Sequence, residues 1–117
     1  MKDRNIVMLS GIVGDDVKFG RSQNGKNYCS FSLCINSYMR DMADDTERAN
    51  SQAMIRVTAF DKKLVEYLQN VGIKRGQRAS IFGRLSTHKT EYKGIDYIQL
   101  AVVIRDIEIV KPNIKEQ

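Results

Sequence analysis

Apolar residues recur at every second position through most of this chain, the periodicity of strands, and helical spacing shows in one short segment. From Tyr28 to Ser37, Cys29, Phe31, Leu33 and Ile35 share one face, while Tyr28, Ser30, Ser32, Cys34 and Asn36 share the other. This predicts a half-exposed strand. Ala53 to Phe60 repeats the pattern, with Ile55, Val57 and Ala59 on one side and Met54, Arg56, Thr58 and Phe60 on the other. Arg4 to Val13 differs, because Ile6, Val7, Met8, Leu9, Ile12 and Val13 are apolar on both parities, as in a strand covered on two sides. Arg78 to Ser86 places Ala79, Ile81 and Leu85 inward, with Gly83 at a bend or close approach. Tyr97 to Val110 carries Ile98, Leu100, Val102 and Ile104 in register. Its parity then shifts to Ile107 and Ile109, which predicts a bulge near Arg105-Asp106.

The connectors sharpen this outline. Gly11, Gly14 and Asp15-Asp16 punctuate the first segment before Val17-Lys18-Phe19 resumes an extended pattern, and Asn24-Gly25 is the strongest hairpin signal in the chain. Asp61 is a helix N-cap for Lys62 to Val71, where Leu64, Leu68 and Val71 form one stripe and Gly72 ends the helix. Lys74-Arg75-Gly76-Gln77 reads as a basic turn, and Glu91-Tyr92-Lys93-Gly94 as a hairpin tip. Arg40 to Gln52, with four acids, two bases and almost no apolar residue, reads as a solvated loop able to turn helical on binding or packing. Five strands with one short helix between the third and fourth fit an all-β, five-stranded Greek-key barrel of the OB-fold type, spanning residues 1–110. Residues 111–117 are left as a short C-terminal tail.

Length and composition narrow the function. At 117 residues, 42% hydrophobic and 28% charged, the chain has room for one soluble domain with a modest core. The absence of a long apolar run or a secretory leader points to a cytoplasmic protein, with no membrane partner expected. Nineteen Lys and Arg against fourteen Asp and Glu give a formal charge of +5; the loop's −2 set against that total leaves +7 on the rest. The positive field therefore belongs to the folded body and favours an anionic partner. Cys29 and Cys34, on opposite faces and roughly 17 Å apart along a strand, cannot form an internal disulfide. With a single histidine, His88, and no metal-ligand spacing, no metal or other cofactor is expected. Catalytic candidates are thin: Asp15-Asp16 and Asp44-Asp45 read as solvated turn formers and His88 as a surface residue of a basic hairpin, so no enzyme is expected.

The outward side of the second and third strands interleaves aromatic, sulfur and basic groups: Tyr38, Met54, Arg56 and Phe60, with Lys62 just beyond. Single-stranded nucleic acid is held by stacking of bases on flat side chains and by cations along its phosphates, and this face supplies both. Phe60, at a strand-to-helix junction, is open to two readings: a stacking surface, or packing beneath the helix.

Asn5 to Gly14 (NIVMLSGIVG), Asn24-Gly25 leading to Cys29 to Asn36 (CSFSLCIN), Ile55 to Phe60 (IRVTAF), Glu66-Tyr67-Leu68, Lys74 to Gln77 (KRGQ) and Ile81 to Thr87 (IFGRLST) resemble, in order, the bacterial single-stranded DNA-binding protein family. The resemblance covers nearly the whole chain. It implies an OB-fold, usually a homotetramer, that coats single-stranded DNA in replication, recombination and repair, on a chromosome, plasmid or phage. Arg56 is expected to touch phosphate or base and Phe60 to stack, with Tyr38, Met54, Lys62, Arg84, Lys89 and Tyr92 as further nucleic-acid contacts. The outer side of the first strand, Ile6, Val7, Met8 and Leu9, is expected to be subunit interface, since these residues cannot all face one core.

Three departures from the family pattern stand out. The chain has no Trp. Phe60 matches its family position, but Met54 stands where an aromatic is usual, and alignment puts Met39 at the second-strand aromatic position whereas strand parity favours Tyr38. In the last hairpin Thr90 replaces the aromatic and Tyr92 is the nearest substitute. Finally, Lys111 to Gln117 lacks the acidic, apolar tip on a flexible tether by which family members recruit enzymes, so no tail-mediated recruitment is expected. The alternative readings are a dimeric primosomal replication protein of related fold that docks to replication machinery, and a protein-interaction OB domain whose charge only aids solubility.

Overall fold

The computed structural model describes residues 2–40 and 48–110, with side chains described for 2–36 and 52–110. Its elements are β1 (Val7–Val13), β2 (Lys18–Arg21), β3 (Asn27–Arg40), β4 (Arg48–Ala59), α1 (Lys62–Val71), β5 (Arg78–Tyr92) and β6 (Ile95–Val110). They form one sheet in the order β1-β5-β6-β4-β3-β2, and β1 pairs again with β3 through Ile12↔Cys34 and Val13↔Leu33. That second pairing closes β1, β5, β6, β4 and β3 into a five-strand ring. All pairings are antiparallel except β4 with β6. This is the expected OB barrel, with its first strand cut in two.

The cut has a local cause. Gly14 N–H still donates to the Ser32 carbonyl at 2.8 Å, but Ser32 N–H donates to Asp15 Oδ1 at 2.7 Å, so a side chain replaces the next rung of the ladder. The chain bends there and resumes pairing at Lys18↔Ser30. Asp15 is thus a bridging residue, where the sequence suggested a solvated turn former.

The inward residues of β3 and β4 behave as their alternation predicts. Cys29, Phe31, Leu33, Val57 and Ala59 are buried, and each apolar side chain sealed this way contributes roughly 1.5–3 kcal/mol of transfer free energy. Ala79, Ile81, Val102, Ile104 and Ile107 join them from β5 and β6. The bulge also falls where expected: Phe82 faces Asp106 while Gly83 faces Ile104, leaving Arg105 as the extra residue. Gly83 is needed beside it, because a Cβ there would collide with the Val103 carbonyl.

The helix begins and ends on the predicted residues. Asp61 accepts a hydrogen bond from Lys63 N–H at 2.9 Å, and Gly72, at φ 71° in the left-handed region, donates to the Leu68 carbonyl. No helix among the described residues is long and apolar enough to cross a membrane.

Four expectations need correction. The buried face of α1 is Val65 and Leu68 with Leu64 partly buried, whereas Val71 is exposed; the reversal at Gly72 brings Ile73 into the core instead. Leu85 is exposed, since β5 leaves the barrel soon after Gly83. The polar stretch from Arg40 to Gln52 is not wholly loop: Arg48 to Gln52 pairs with β3 from Asn36 to Arg40, so β3 and β4 run on as a hairpin arm. Its polar sequence carries no apolar alternation and so hides the strands. The last strand starts at Ile95, two residues before the expected Tyr97, because Lys93 and Gly94 at φ 53° and 78° make a two-residue turn that extends pairing to Tyr92↔Ile95. Asp44 and Asp45, and residues 111–117, lie outside the described residues.

Candidate nucleic-acid interface

An open cleft of about 500 Å³ lies between the outward face of β3 and β4 and the arm formed by β5 and β6. One wall carries Tyr28 and Ser30 from β3 with Arg56, Thr58 and Phe60 around the end of β4. These share the outward parity read from the sequence. The opposite wall presents Ser86, His88 and Thr90 from β5 and Gln99, Ala101 and Val103 from β6 on one parity of paired strands, with Thr87, Leu100 and Val102 between them also reaching its edge. Phe60 also lines a second depression of similar size with Gly25, Lys26, Asn27 and Lys62. It is 46% exposed, so its ring is not buried beneath α1. A flat apolar ring held between two depressions is a surface on which a base can stack.

Arg56 is fixed by two partners. Its Nη2 donates to Asp15 Oδ2 at 3.3 Å and its Nη1 to Ser30 Oγ at 3.5 Å, while Thr58 Oγ1 donates to the same Ser30 hydroxyl at 3.3 Å. Burial alone would push the Asp15 carboxyl up. Hydrogen bonds from the Ser32 backbone and hydroxyl, with the charges of Arg56 and Lys18, outweigh it and hold the carboxyl below its ordinary value. The ion pair is therefore formed at neutral pH. Cys29 lies under this face in the core, where burial pushes its thiol up to about 11 and leaves it unreactive.

The structure brings together some of the expected contacts and separates others. Arg56 and Phe60 share the cleft, and Lys62 stands beside Phe60 on its other side. Met54 is exposed next to them along β4, opposite Cys34. Arg84 is exposed on the cleft-side parity of β5 but does not line the cleft. Lys89 pairs with Ile98 on the other parity of the arm, and its ammonium sits 3.4 Å from Asp96. Tyr92 is exposed at the tip, with the Lys93 ammonium 5.4 Å from its ring centre. The backbone of Tyr38 and Met39 lies in β3 opposite Asn50 and Ala49, and their side chains are outside the described residues. Ser86 and Gln99 were not singled out in the sequence, and Tyr28, Thr58 and Thr90 were placed there without a contact role; the period-2 run Ser86, His88, Thr90 was the available signal.

Ile6, just before β1, and Met8 on it are exposed, and Met8 pairs with the exposed Phe82. Val7 and Leu9 are partly buried against the core. Asn5 extends the strand with its side chain, donating from Nδ2 to the Leu85 carbonyl and accepting from Leu85 N–H, each at 2.7 Å.

Solved structures with this architecture come from distant organisms. The chain is similar to the Plasmodium falciparum SSB in complex with ssDNA, with a TM-score of 0.83 and 22% identity over 95% of this chain and 98% of that one. It is similar to a deletion variant of the single-stranded DNA-binding protein from Thermus aquaticus, at 0.76 and 18% over 92% of this chain and 51% of the longer protein. The small single-stranded DNA-binding protein from Streptomyces coelicolor matches at 0.69 and 16% over 90% and 93%. These likenesses establish the fold. The family model described as single-strand binding protein family matches residues 4–110, nearly the whole chain, and the chain belongs to that family.

Proposed function

We propose that this chain binds single-stranded DNA without sequence preference, bases inward in the cleft between β4 and the β5–β6 arm and phosphates outward toward the surrounding Lys and Arg. Phe60 supplies the stacking surface, with Lys62 and Arg84 as phosphate contacts near the cleft and Met54 and Tyr92 as apolar contacts along the strand's path. The exposed Phe60 ring at the meeting of two depressions carries this reading, because it offers a flat apolar surface within a cleft, with Lys26 and Lys62 lining the depression on its other side. Family membership supports it. The domain, residues 1–110, acts by coating exposed strands during replication, recombination and repair in the cytoplasm, and performs no catalysis.

Its assembly is a homo-oligomer, the tetramer usual in the family, through the outer side of β1. Ile6, Met8 and the neighbouring Phe82 form an exposed apolar surface there. Met8→Lys should yield smaller species by light scattering, and an unchanged mass would contradict this interface.

The DNA-binding test is an anisotropy titration of a labelled oligothymidylate across a salt series. Affinity should fall with salt at a log–log slope of about −0.7 per phosphate contacted. Phe60→Ala should weaken binding by about 1–3 kcal/mol while leaving the melting temperature nearly unchanged. An unfolded Phe60→Ala variant whose folded fraction binds normally would make Phe60 a core residue.

A further inference from the structure

We infer that Asp15 is a positioning residue that turns Arg56 from a phosphate clamp into a stacking surface for a base; this rests on the DNA-binding reading above. A free guanidinium in a nucleic-acid site grips phosphate oxygens through its N–H edges. In Arg56 both terminal nitrogens are already engaged, Nη2 by Asp15 Oδ2 at 3.3 Å and Nη1 by Ser30 Oγ at 3.5 Å. Each of those nitrogens keeps one N–H, as does Nε, and the planar face has no protein partner. Guanidinium planes stack on nucleobases as aromatic rings do.

Three further observations support the assignment. Asp15 is itself anchored, since its other oxygen accepts from Ser32 N–H at 2.7 Å where β1 breaks from β2, so the carboxylate cannot swing away without giving up that bond. It is held ionised, so its charge offsets that of Arg56 and weakens the guanidinium's pull on a phosphate. Among the described residues lining the cleft, Arg56 is the only Lys or Arg, and most of the polar ones are hydroxyls. The other nearby cations, Lys18 beside Asp15, Lys26 and Lys62 beyond Phe60 and Arg84 on β5, lie outside that lining. A strand with its phosphates at those cations presents bases to Arg56, in line with the Phe60 ring.

The test pairs a thymidylate oligomer with an abasic oligomer of equal length, each titrated across a salt series against wild type, Arg56→Ala, Arg56→Lys and Asp15→Asn, with a thermal melt of each variant. Asp15→Asn keeps an oxygen for Ser32 N–H and removes the charge. Wild-type affinity for thymidylate tests the underlying reading by itself; a wild type that binds neither strand overturns both. If it binds, Arg56→Ala should weaken thymidylate binding at least about 5-fold, leave abasic binding within about 2-fold, and leave the salt slope unchanged. Arg56→Lys should be as weak as Arg56→Ala, because it restores charge without a plane. Asp15→Asn should steepen the slope by about 0.7, as the released guanidinium takes a phosphate. The assignment is overturned if Arg56→Ala weakens both strands equally and flattens the slope by about 0.7, if Arg56→Lys restores binding, or if Arg56→Ala has no effect. A folded Asp15→Asn variant with an unchanged slope overturns it as well, and should that variant fail to fold, Asp15→Ser is measured in its place with the same expected and contradicting results.

Discussion

Within β6, Val102 and Ile104 are sealed inside the barrel, while Ile98 and Leu100, on the same parity of the same strand, are 72% and 60% exposed. The residue types and the alternation are alike in both halves. What differs is the neighbour: Val102 and Ile104 lie where β6 pairs in parallel with β4, at Val57↔Val102 and Ala59↔Ile104, with β5 on the other side. That pairing begins at Arg56↔Ala101, and from Leu100 back to Ile95 only β5 accompanies the strand. Periodicity thus specifies which side of a strand is apolar, and the extent of pairing with a third strand decides whether that side is covered. The uncovered half is the part of the molecule free to form the far wall of the cleft.

The sharpest way to break this contrast is substitution on the two halves. Ile104→Ala should cost about 2–5 kcal/mol of unfolding free energy, measured by urea titration, whereas Ile98→Ala should stay within about 0.5 kcal/mol. Equal costs would mean that the arm is covered in the assembled protein. At the border between the halves, Gly83→Ala should cost about 1–3 kcal/mol, because its new methyl group meets the Val103 carbonyl. An undisturbed variant would show that the bulge at Arg105 yields easily. On the barrel side, Asp61→Ala should remove about 1 kcal/mol through loss of the cap to Lys63 N–H, with hydrogen exchange in the arm unaffected.

The smallest effect concerns acid. The carboxyl of Asp15 is lowered in the folded state, so its contribution is present above the unfolded value near pH 4 and is lost as pH falls through the folded value. Asp15→Asn should therefore show a shallower loss of melting temperature between pH 5 and pH 2 than the wild type, on the order of a few degrees at most. Identical acid limbs would contradict the pairing.

Much of this architecture was legible in the sequence because its signals are local. Asp61 and Gly72 bracket α1 through bonds within a few residues, and the parity shift from Ile104 to Ile107 marks the bulge at Arg105 within one strand. The outward placement of Met54 and Arg56 followed from period 2 alone, whereas the strand-to-helix junction leaves Phe60 open to two readings that its exposure decides. The remainder depends on partners far along the chain. Asp15 breaks β1 from β2 through Ser32, seventeen positions away, and nothing beside Asp15 announces it. The far wall of the cleft uses Ser86, His88, Thr90 and Gln99, polar residues whose alternation looks like any solvated strand until β4 is set opposite them. Residues 48–52 hid their strand because their polar sequence carries no apolar alternation. Lys89, chosen for its charge, sits on the other parity and is engaged by Asp96.

The central claim is that single-stranded DNA enters the cleft between Phe60 and the arm. His88, the only histidine in the chain, stands on the far wall and gives a single, assignable imidazole resonance. Titrating the protein with an oligothymidylate should move that resonance saturably, with the same apparent affinity as anisotropy reports and with a smaller shift in Phe60→Ala at equal ligand. A His88 resonance that stays fixed while the oligonucleotide binds would place the DNA elsewhere and contradict the account.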